Sequence, residues 1–374
     1  MFMDVVNPFL LSGYVSPAYF CDREQETDKL ASALRNGRNV TLVSPRRMGK
    51  TGLIRHVFHQ VEQAGEAACY YVDLYQTDSL ASLVKKLGDA VLGTLDTTEA
   101  RLVKRVATFF RSLRPVITID PMTGKPSLTI DVQPDLAERS LAEIFDYMQQ
   151  SGKRCYVAFD EFQTVTTYAD KQVEALLRAH IQHLTSVRFI FSGSQRHVLE
   201  NMFVSAARPF YQSAQMMNLG SIAPAAYEAF VQARLADAGR RLLPGVFGGL
   251  YERLSGHTWY VQMTLNRLYE TGATDITADA VDRVLADIVE ENAPTYHTFL
   301  RLVTPAQGRL LRAVAREGTV REILGKAFVA AHQLGAASTV KSAAKVLVDK
   351  ELLLQTDDAY QVYDRFFGIW LARG

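Results

Sequence analysis

The run Ser44–Pro45–Arg46–Arg47–Met48–Gly49–Lys50–Thr51 sets a lysine and a hydroxyl directly after a glycine. It lies between an apolar run, Asn39–Val40–Thr41–Leu42–Val43, and a helix-forming stretch that begins Gly52–Leu53–Ile54–Arg55. Strand, loop and helix in that order, with Gly-Lys-Thr closing the loop, is the pattern of a phosphate-binding loop. A helix N-terminus offers unpaired backbone N–H groups and a partial positive charge, so it suits a polyphosphate. Lys50 is expected to reach the β- and γ-phosphates of a nucleoside triphosphate and to act in catalysis, and the Thr51 hydroxyl to hold Mg²⁺. Arg47, Met48, Gly49, Lys50, Thr51 and Gly52 are the residues expected around the nucleotide. Ser44 stands where the first glycine of the pattern usually is.

A second motif belongs with the first. Cys155–Tyr156–Val157–Ala158–Phe159 reads as a strand buried on both faces, and it ends in Asp160–Glu161. A carboxylate at a strand tip suits the metal side of a nucleoside triphosphatase, so Asp160 joins Thr51 as a candidate Mg²⁺ residue. Glu161 is then placed to polarise the attacking water. An Asp-Glu pair alone would serve equally as a helix cap; its position downstream of a phosphate loop gives it the catalytic reading.

These motifs need a sheet and helices to hold them. Asp22–Arg23–Glu24 opens a helix to about Leu34, with acids in its first turn. A helix follows the loop to about Ala64–Gly65, then a strand over Ala68–Leu74 and a long helical stretch over about 79–112. Residues 114–132 carry β-branched arms around Asp120–Pro121–Met122–Thr123–Gly124–Lys125 and predict a hairpin inserted at the edge of the core. Helices near 135–150 and 170–185 flank the Asp160 strand, and Val187–Ser194 is a further strand. This alternation predicts an α/β fold with a mainly parallel sheet and ligands at the strand C-termini. Residues 224–290 read as helical. From Thr304 onward come three helices, one near 320–333 and one capped by Ser338, then a small hairpin over 352–363, which describes a winged helix-turn-helix.

The formal net charge of +1 gives no global attraction for a polyanion, so any nucleic-acid surface must be local. Cys21, Cys69 and Cys155 are widely spaced, with no metal-ligand pattern, and read as thiols of a reducing compartment. Neither a membrane span nor a signal peptide is evident, which argues for cytoplasm.

Together these residues resemble the archaeal-type ATPases of the AAA+/STAND group of P-loop proteins. The resemblance is carried by Asn7–Pro8–Phe9, Asp22–Arg23–Glu24, the phosphate loop, Phe159–Asp160–Glu161–Phe162–Gln163, Ser192–Gly193–Ser194, Gly256–His257 and Tyr363–Asp364–Arg365–Phe366–Phe367–Gly368–Ile369–Trp370–Leu371. It implies a P-loop ATPase core over 1–222, a helical lid over 223–300 and a C-terminal winged helix over 301–374. It further implies ATP and Mg²⁺ as ligands, Arg23 near the adenine with Tyr19 and Phe20 as ring contacts, Ser194 or Ser192 sensing the γ-phosphate, and His257 of the lid approaching the nucleotide. Members often carry Gly-Arg after a Pro-aromatic-Tyr; here Pro209–Phe210–Tyr211 is followed by Gln212–Ser213, with Arg208 the nearest substitute. An arginine finger is worth several orders of magnitude in phosphoryl transfer, so slow hydrolysis is expected. The leading reading is an ATP-dependent switch with a protein partner. The alternative is a DNA-binding regulatory ATPase that meets duplex DNA through Lys341, Lys345 and Lys350, and the third reading is a scaffold with a degenerate pocket. Nothing in the sequence decides the oligomeric state.

Overall fold

The structure, a computed structural model, describes residues 7–93, 109–119, 126–356 and 359–373. It divides into two compact units, one of Ser12–Ser221 and one that joins Ile222–Gly374 to the N-terminal residues through Leu11.

The first unit is built on a five-stranded parallel sheet. Its strands are β1 (Val40–Val43), β2 (Ala68–Asp73), β5 (Cys155–Asp160), β6 (Val187–Gly193) and β7 (Gln215–Asn218), in the order β2-β5-β6-β1-β7. Every residue of β1 and β5 is buried, as their unbroken apolar runs require for strands covered on both faces. The period of two then sorts side chains between two cores. Leu42, Tyr156, Ala158 and Ile190 pack under helices α1 (Glu24–Arg35) and α2 (Lys50–Gln63). Val43, Tyr70, Val72, Val157, Phe159, Phe189 and Phe191 face the other way, onto α3 (Leu80–Leu92), α4 (Ala137–Gln150), α5 (Val173–Ile181) and α6 (Arg196–Val204).

The edge strand β7 is absent from the sequence expectation, which stops the sheet at Ser194. Four residues with partly exposed side chains carry too little alternation to register, and β7 exists because β1 offers it a backbone ladder, Val40 opposite Gln215. The hairpin forms where expected, β3 (Arg114–Ile119) against β4 (Pro126–Asp131), as a separate two-stranded sheet. It docks on α3 through Lys85 Nζ on the Ile130 carbonyl (2.6 Å) and the Ile130 N–H on Asp89 Oδ1 (3.0 Å). Its centre, 120–125, lies outside the described residues, as does 94–108 of the expected 79–112 helix; α3 itself ends before Gly93.

The second unit is mostly helical, as the sequence predicts for 224–290. It holds α7 (Pro224–Ala236), α8 (Val246–Arg253), α9 (Thr258–Glu270) and the 24-residue α10 (Ala278–Arg301), with the two-residue strands β8 (Arg241–Leu242) and β9 (Asp275–Ile276) pairing in parallel. Residues 7–11, assigned to the core by the sequence reading, belong to this unit. Asn7 Nδ2 donates to the Asn266 carbonyl, Asn266 Nδ2 donates to the Phe9 carbonyl, and the fully buried Phe9 ring packs edge-on against Tyr269. Then come α11 (Pro305–Glu317), α12 (Lys326–Ala331), α13 (Ala337–Asp349), the wing strands β10 (Leu353–Gln355) and β11 (Tyr360–Val362), and α14 (Arg365–Arg373). Thr304 and Gln307 form a capping box at α11, worth about 1 kcal/mol. The helix that Ser338 was expected to cap starts two residues earlier, with Ala336 at the cap position and no side chain capping it. No helix among the described residues is long and apolar enough to cross a membrane.

Candidate functional site

The strand order brings the two motifs together. β6 lies between the phosphate-loop strand β1 and the carboxylate strand β5, so the C-terminal ends of all three open on one edge. The loop from Ser44 to Gly49 turns into α2, and its backbone explains which positions need glycine. Gly49 sits at φ +98°, where a side chain is strained, and Arg47 also takes a left-handed conformation at φ +62°. Ser44 has no positive φ, so serine serves at a position where the general pattern has glycine. No side chain caps the N-terminus of α2, and its first N–H groups face the loop.

Lys50 is buried, and its ammonium donates to the carbonyls of Ser44 (3.0 Å) and Pro45 (3.1 Å). Burial lowers its pKa; Glu161 and Asp160 oppose this, and Arg46 adds to it. The side chain is therefore folded against the loop whose phosphate ligand it would serve. Thr51, the second residue of α2, donates from Oγ1 to Asp160 Oδ2 at 2.8 Å, which joins the two expected metal residues directly.

Asp160 is saturated with donors. Oδ1 accepts from Ser192 Oγ (2.8 Å) and the Glu161 N–H (3.0 Å), while Oδ2 accepts from Thr51 and from the Tyr71 hydroxyl (2.5 Å). Glu161 holds a left-handed backbone at φ 52°, ψ 42°, a conformation that costs a non-glycine residue about 1–3 kcal/mol. That turn swings its carboxylate away from Asp160, and Oε2 accepts from Gln163 Nε2 and from Ser194 Oγ (3.0 Å). The two serines thus divide: Ser192 serves Asp160 and Ser194 serves Glu161.

Met48 is buried beneath the loop and Gly52 lies against the Phe20 ring, where a Cβ would come within 3.5 Å. Phe20 itself stacks on His56 at 4.2 Å. Arg23, expected near the adenine, is 4% exposed. Its guanidinium donates to Gly220 O (2.6 Å), Glu26 Oε1 (2.9 Å) and Met48 O (3.5 Å), so it braces the loop. Arg208, the substitute for a finger, is held by the Glu174 carboxylate on α5. His257 belongs to the second unit, at the N-cap of α9, buried and edge-on against Tyr260 at 4.6 Å.

Sequence reasoning passed over Tyr71 and gave Gln163 no role. Tyr71 shares its face of β2 with Asp73 at the strand tip and lies opposite Ala158, two residues before Asp160, a neighbourhood that strand parity alone does not disclose. The donor set fits a small hard cation. A hydroxyl and a carboxylate, both oxygen donors, meet beside a lysine, and Mg²⁺ takes few protein ligands and completes its shell with phosphate oxygens and water. Among the described residues no three or more His, Cys, Asp or Glu cluster as a metal cage.

The fold has solved counterparts. A Walker-type ATPase of Pyrococcus abyssi is 18% identical over 97% of this chain and 99% of its own, with a TM-score of 0.66. The ORC2 protein of Aeropyrum pernix, solved as ADPNP–ADP complexes, is 14% identical over 98% and 95%, with a TM-score of 0.59. The ORC1 protein of the same organism, solved in complex with DNA, is 13% identical over 98% and 96%, with a TM-score of 0.54. At these identities the likeness is one of fold. No curated protein matches the chain. Residues 294–373 match a family described as a probable winged helix domain. Residues 20–216, more than half the chain and the span that holds every loop, carboxylate and serine residue above, match the ATPase domain predominantly from Archaea, and the chain belongs to that family of ATPases.

Proposed function

We propose that this ATPase is a Mg²⁺-dependent switch of the STAND kind that binds ATP firmly and hydrolyses it slowly. The observation that carries the reading is the Thr51–Asp160 hydrogen bond beside a buried Lys50, which gathers phosphate and metal ligands at one helix N-terminus. Arg47, Met48, Gly49, Lys50, Thr51 and Gly52 would cradle the phosphates, with Arg23 holding the loop in shape through Met48. Thr51 and Asp160 would hold Mg²⁺. When bound, the cation would neutralise charge on the β- and γ-phosphates. Lys50 would leave the Ser44 and Pro45 carbonyls for the phosphates, and Glu161 would take a proton from the attacking water.

Two features support slow turnover. Glu161 already accepts two hydrogen bonds on one oxygen, which weakens it as a base, and Arg208 is committed to Glu174. ATP binding would bias the second unit, with His257 as its nucleotide contact on the strength of the family resemblance alone. A protein partner acting in the cytoplasm fits a switch. For duplex DNA, Lys341 and Lys345 lie exposed on one face of α13, but Lys350 Nζ is spent on the Leu302 carbonyl (2.7 Å) and 357–358 of the wing lie outside the described residues. Binding to duplex DNA that weakens with salt would favour the DNA partner, and its absence at low salt the protein one.

The test is nucleotide binding and hydrolysis by three proteins. Lys50→Ala should lose ATP affinity by about tenfold or more, and Glu161→Gln should bind ATP as the wild type does while turnover falls by about 100-fold or more. Equal ATP affinity in Lys50→Ala and wild type would sink the reading.

A further inference from the structure

We propose that Tyr71 is a positioning residue for the metal-side carboxylate, and that its hydroxyl sets the divalent-cation affinity of the nucleotide complex. The inference rests on the reading of Thr51 and Asp160 as the Mg²⁺ residues. Tyr71 stands on β2, the edge strand beside β5, opposite Ala158. From there the phenol reaches along the sheet to Asp160 Oδ2 at 2.5 Å, the same oxygen that accepts from Thr51. The ring is fixed from the other side, because the Arg55 guanidinium lies over it, 4.1 Å from the centroid. Arg55 follows Thr51 by one turn of α2, so a single helix face presents both the hydroxyl that bonds Asp160 and the cation that holds Tyr71.

The consequence is a carboxylate whose orientation is set from β6, α2, β2 and the turn after β5. Ser192 and the Glu161 N–H fix Oδ1; Thr51 and Tyr71 fix Oδ2. All four acceptor positions of Asp160 are filled here, so Mg²⁺ would take the place of the Thr51 bond as that hydroxyl turns to the cation, and the partners that stay behind a ligand typically govern metal affinity by 10- to 100-fold. The guanidinium over the ring holds the phenol in place. Phenylalanine would keep the ring but lose the bond to Asp160.

The experiment uses the full chain saturated with a non-hydrolysable ATP analogue, with Mn²⁺ as probe, read by loss of the free-ion electron paramagnetic resonance signal. Tyr71→Phe should raise the Mn²⁺ concentration for half-saturation by about tenfold, while nucleotide affinity without metal stays within about twofold. Arg55→Met should shift Mn²⁺ binding in the same direction by less, and Arg55→Lys should restore most of it. Thermal melts identify any variant that fails to fold, and the Arg55 pair then carries the test. Thr51→Ala separates the layers. If Thr51→Ala loses Mn²⁺ but Tyr71→Phe and Arg55→Met titrate as wild type, the role of Tyr71 is overturned and the metal site stands. If Thr51→Ala also titrates as wild type, the metal site itself is wrong and the proposal falls with it.

Discussion

Replacing Gln163 by methionine should make this ATPase faster. Gln163 is 6% exposed, and its Nε2 donates to Glu161 Oε2 while its own Oε1 has no hydrogen-bond partner among the described residues. As the proposed base, Glu161 would have to free that oxygen, or turn its other oxygen, before taking a proton from water. A hydrogen bond to a charged acceptor contributes about 1.5–3 kcal/mol. At about 1.4 kcal/mol per factor of ten, losing it ahead of the transition state should raise kcat by about ten- to a hundredfold. Methionine nearly conserves the volume and removes an unpartnered buried carbonyl, so the melting temperature should hold or rise. KM for ATP should stay constant, because the amide touches Glu161 and not the phosphate loop. The assay is steady-state phosphate release at saturating Mg·ATP, with a single-turnover measurement to show that chemistry limits the rate. A fall in kcat of tenfold or more would refute the reasoning, since it would mean that the contact holds Glu161 where it works.

Two further predictions concern stability. Gly256 has φ +61°, and a Cβ there would lie 2.4 Å from Tyr251 Cζ, whose hydroxyl donates to the Ile222 carbonyl at 2.7 Å. Gly256→Ala should therefore cost at least about 2 kcal/mol in denaturant unfolding, whereas Gly308→Ala, with nothing nearer than 3.7 Å, should cost little; equal effects would contradict the model of this turn. His56 is buried between Phe20 and Gln60 with the Tyr14 hydroxyl 3.0 Å from Nδ1, and burial lowers its pKa, with His59 adding to the effect. The unfolded chain then binds the proton more readily, so stability is full above the ordinary value of 6.5 and is lost as pH falls below it. His56→Gln should flatten unfolding free energy against pH between about 7.5 and 5.5, and an unchanged slope would show that His56 does not titrate across folding.

The parts of the site that were legible in the sequence are those whose chemistry is local. Gly49–Lys50–Thr51 and Asp160–Glu161 each announce themselves through residue type beside an apolar run, and the structure joins Thr51 to Asp160 by a hydrogen bond. Relations across strands were harder to read. Ser192 and Ser194 were equivalent candidates until the β5–β6 register gave one to each carboxylate. Tyr71 looked like one more aromatic in a buried strand, because nothing in a linear sequence says that β2 borders β5 and not β1. Arg23 was legible as important but not as a brace, since its Gly220 partner lies 197 residues away. The edge strand β7 was invisible for a related reason: its stability comes from the ladder to β1 and little from its own side chains.

The long helix α10 has a mechanical consequence. The sequence suggested a lid ending at 300 and a winged helix starting at 301; α10 spans Ala278 to Arg301, with Pro294 inside it, and the winged-helix match begins within it, at residue 294. Its C-terminal turns are welded to α14 by rings: Tyr296 lies 5.2 Å from Phe367 and 5.7 Å from Trp370, and Phe299 lies 5.6 Å from Phe367. Tyr260 on α9 adds a second weld to Phe366 at 4.9 Å. Lid and wing therefore share one axle. A chimera that exchanged the C-terminal helices would therefore have to be spliced within α10, with these rings kept as a set.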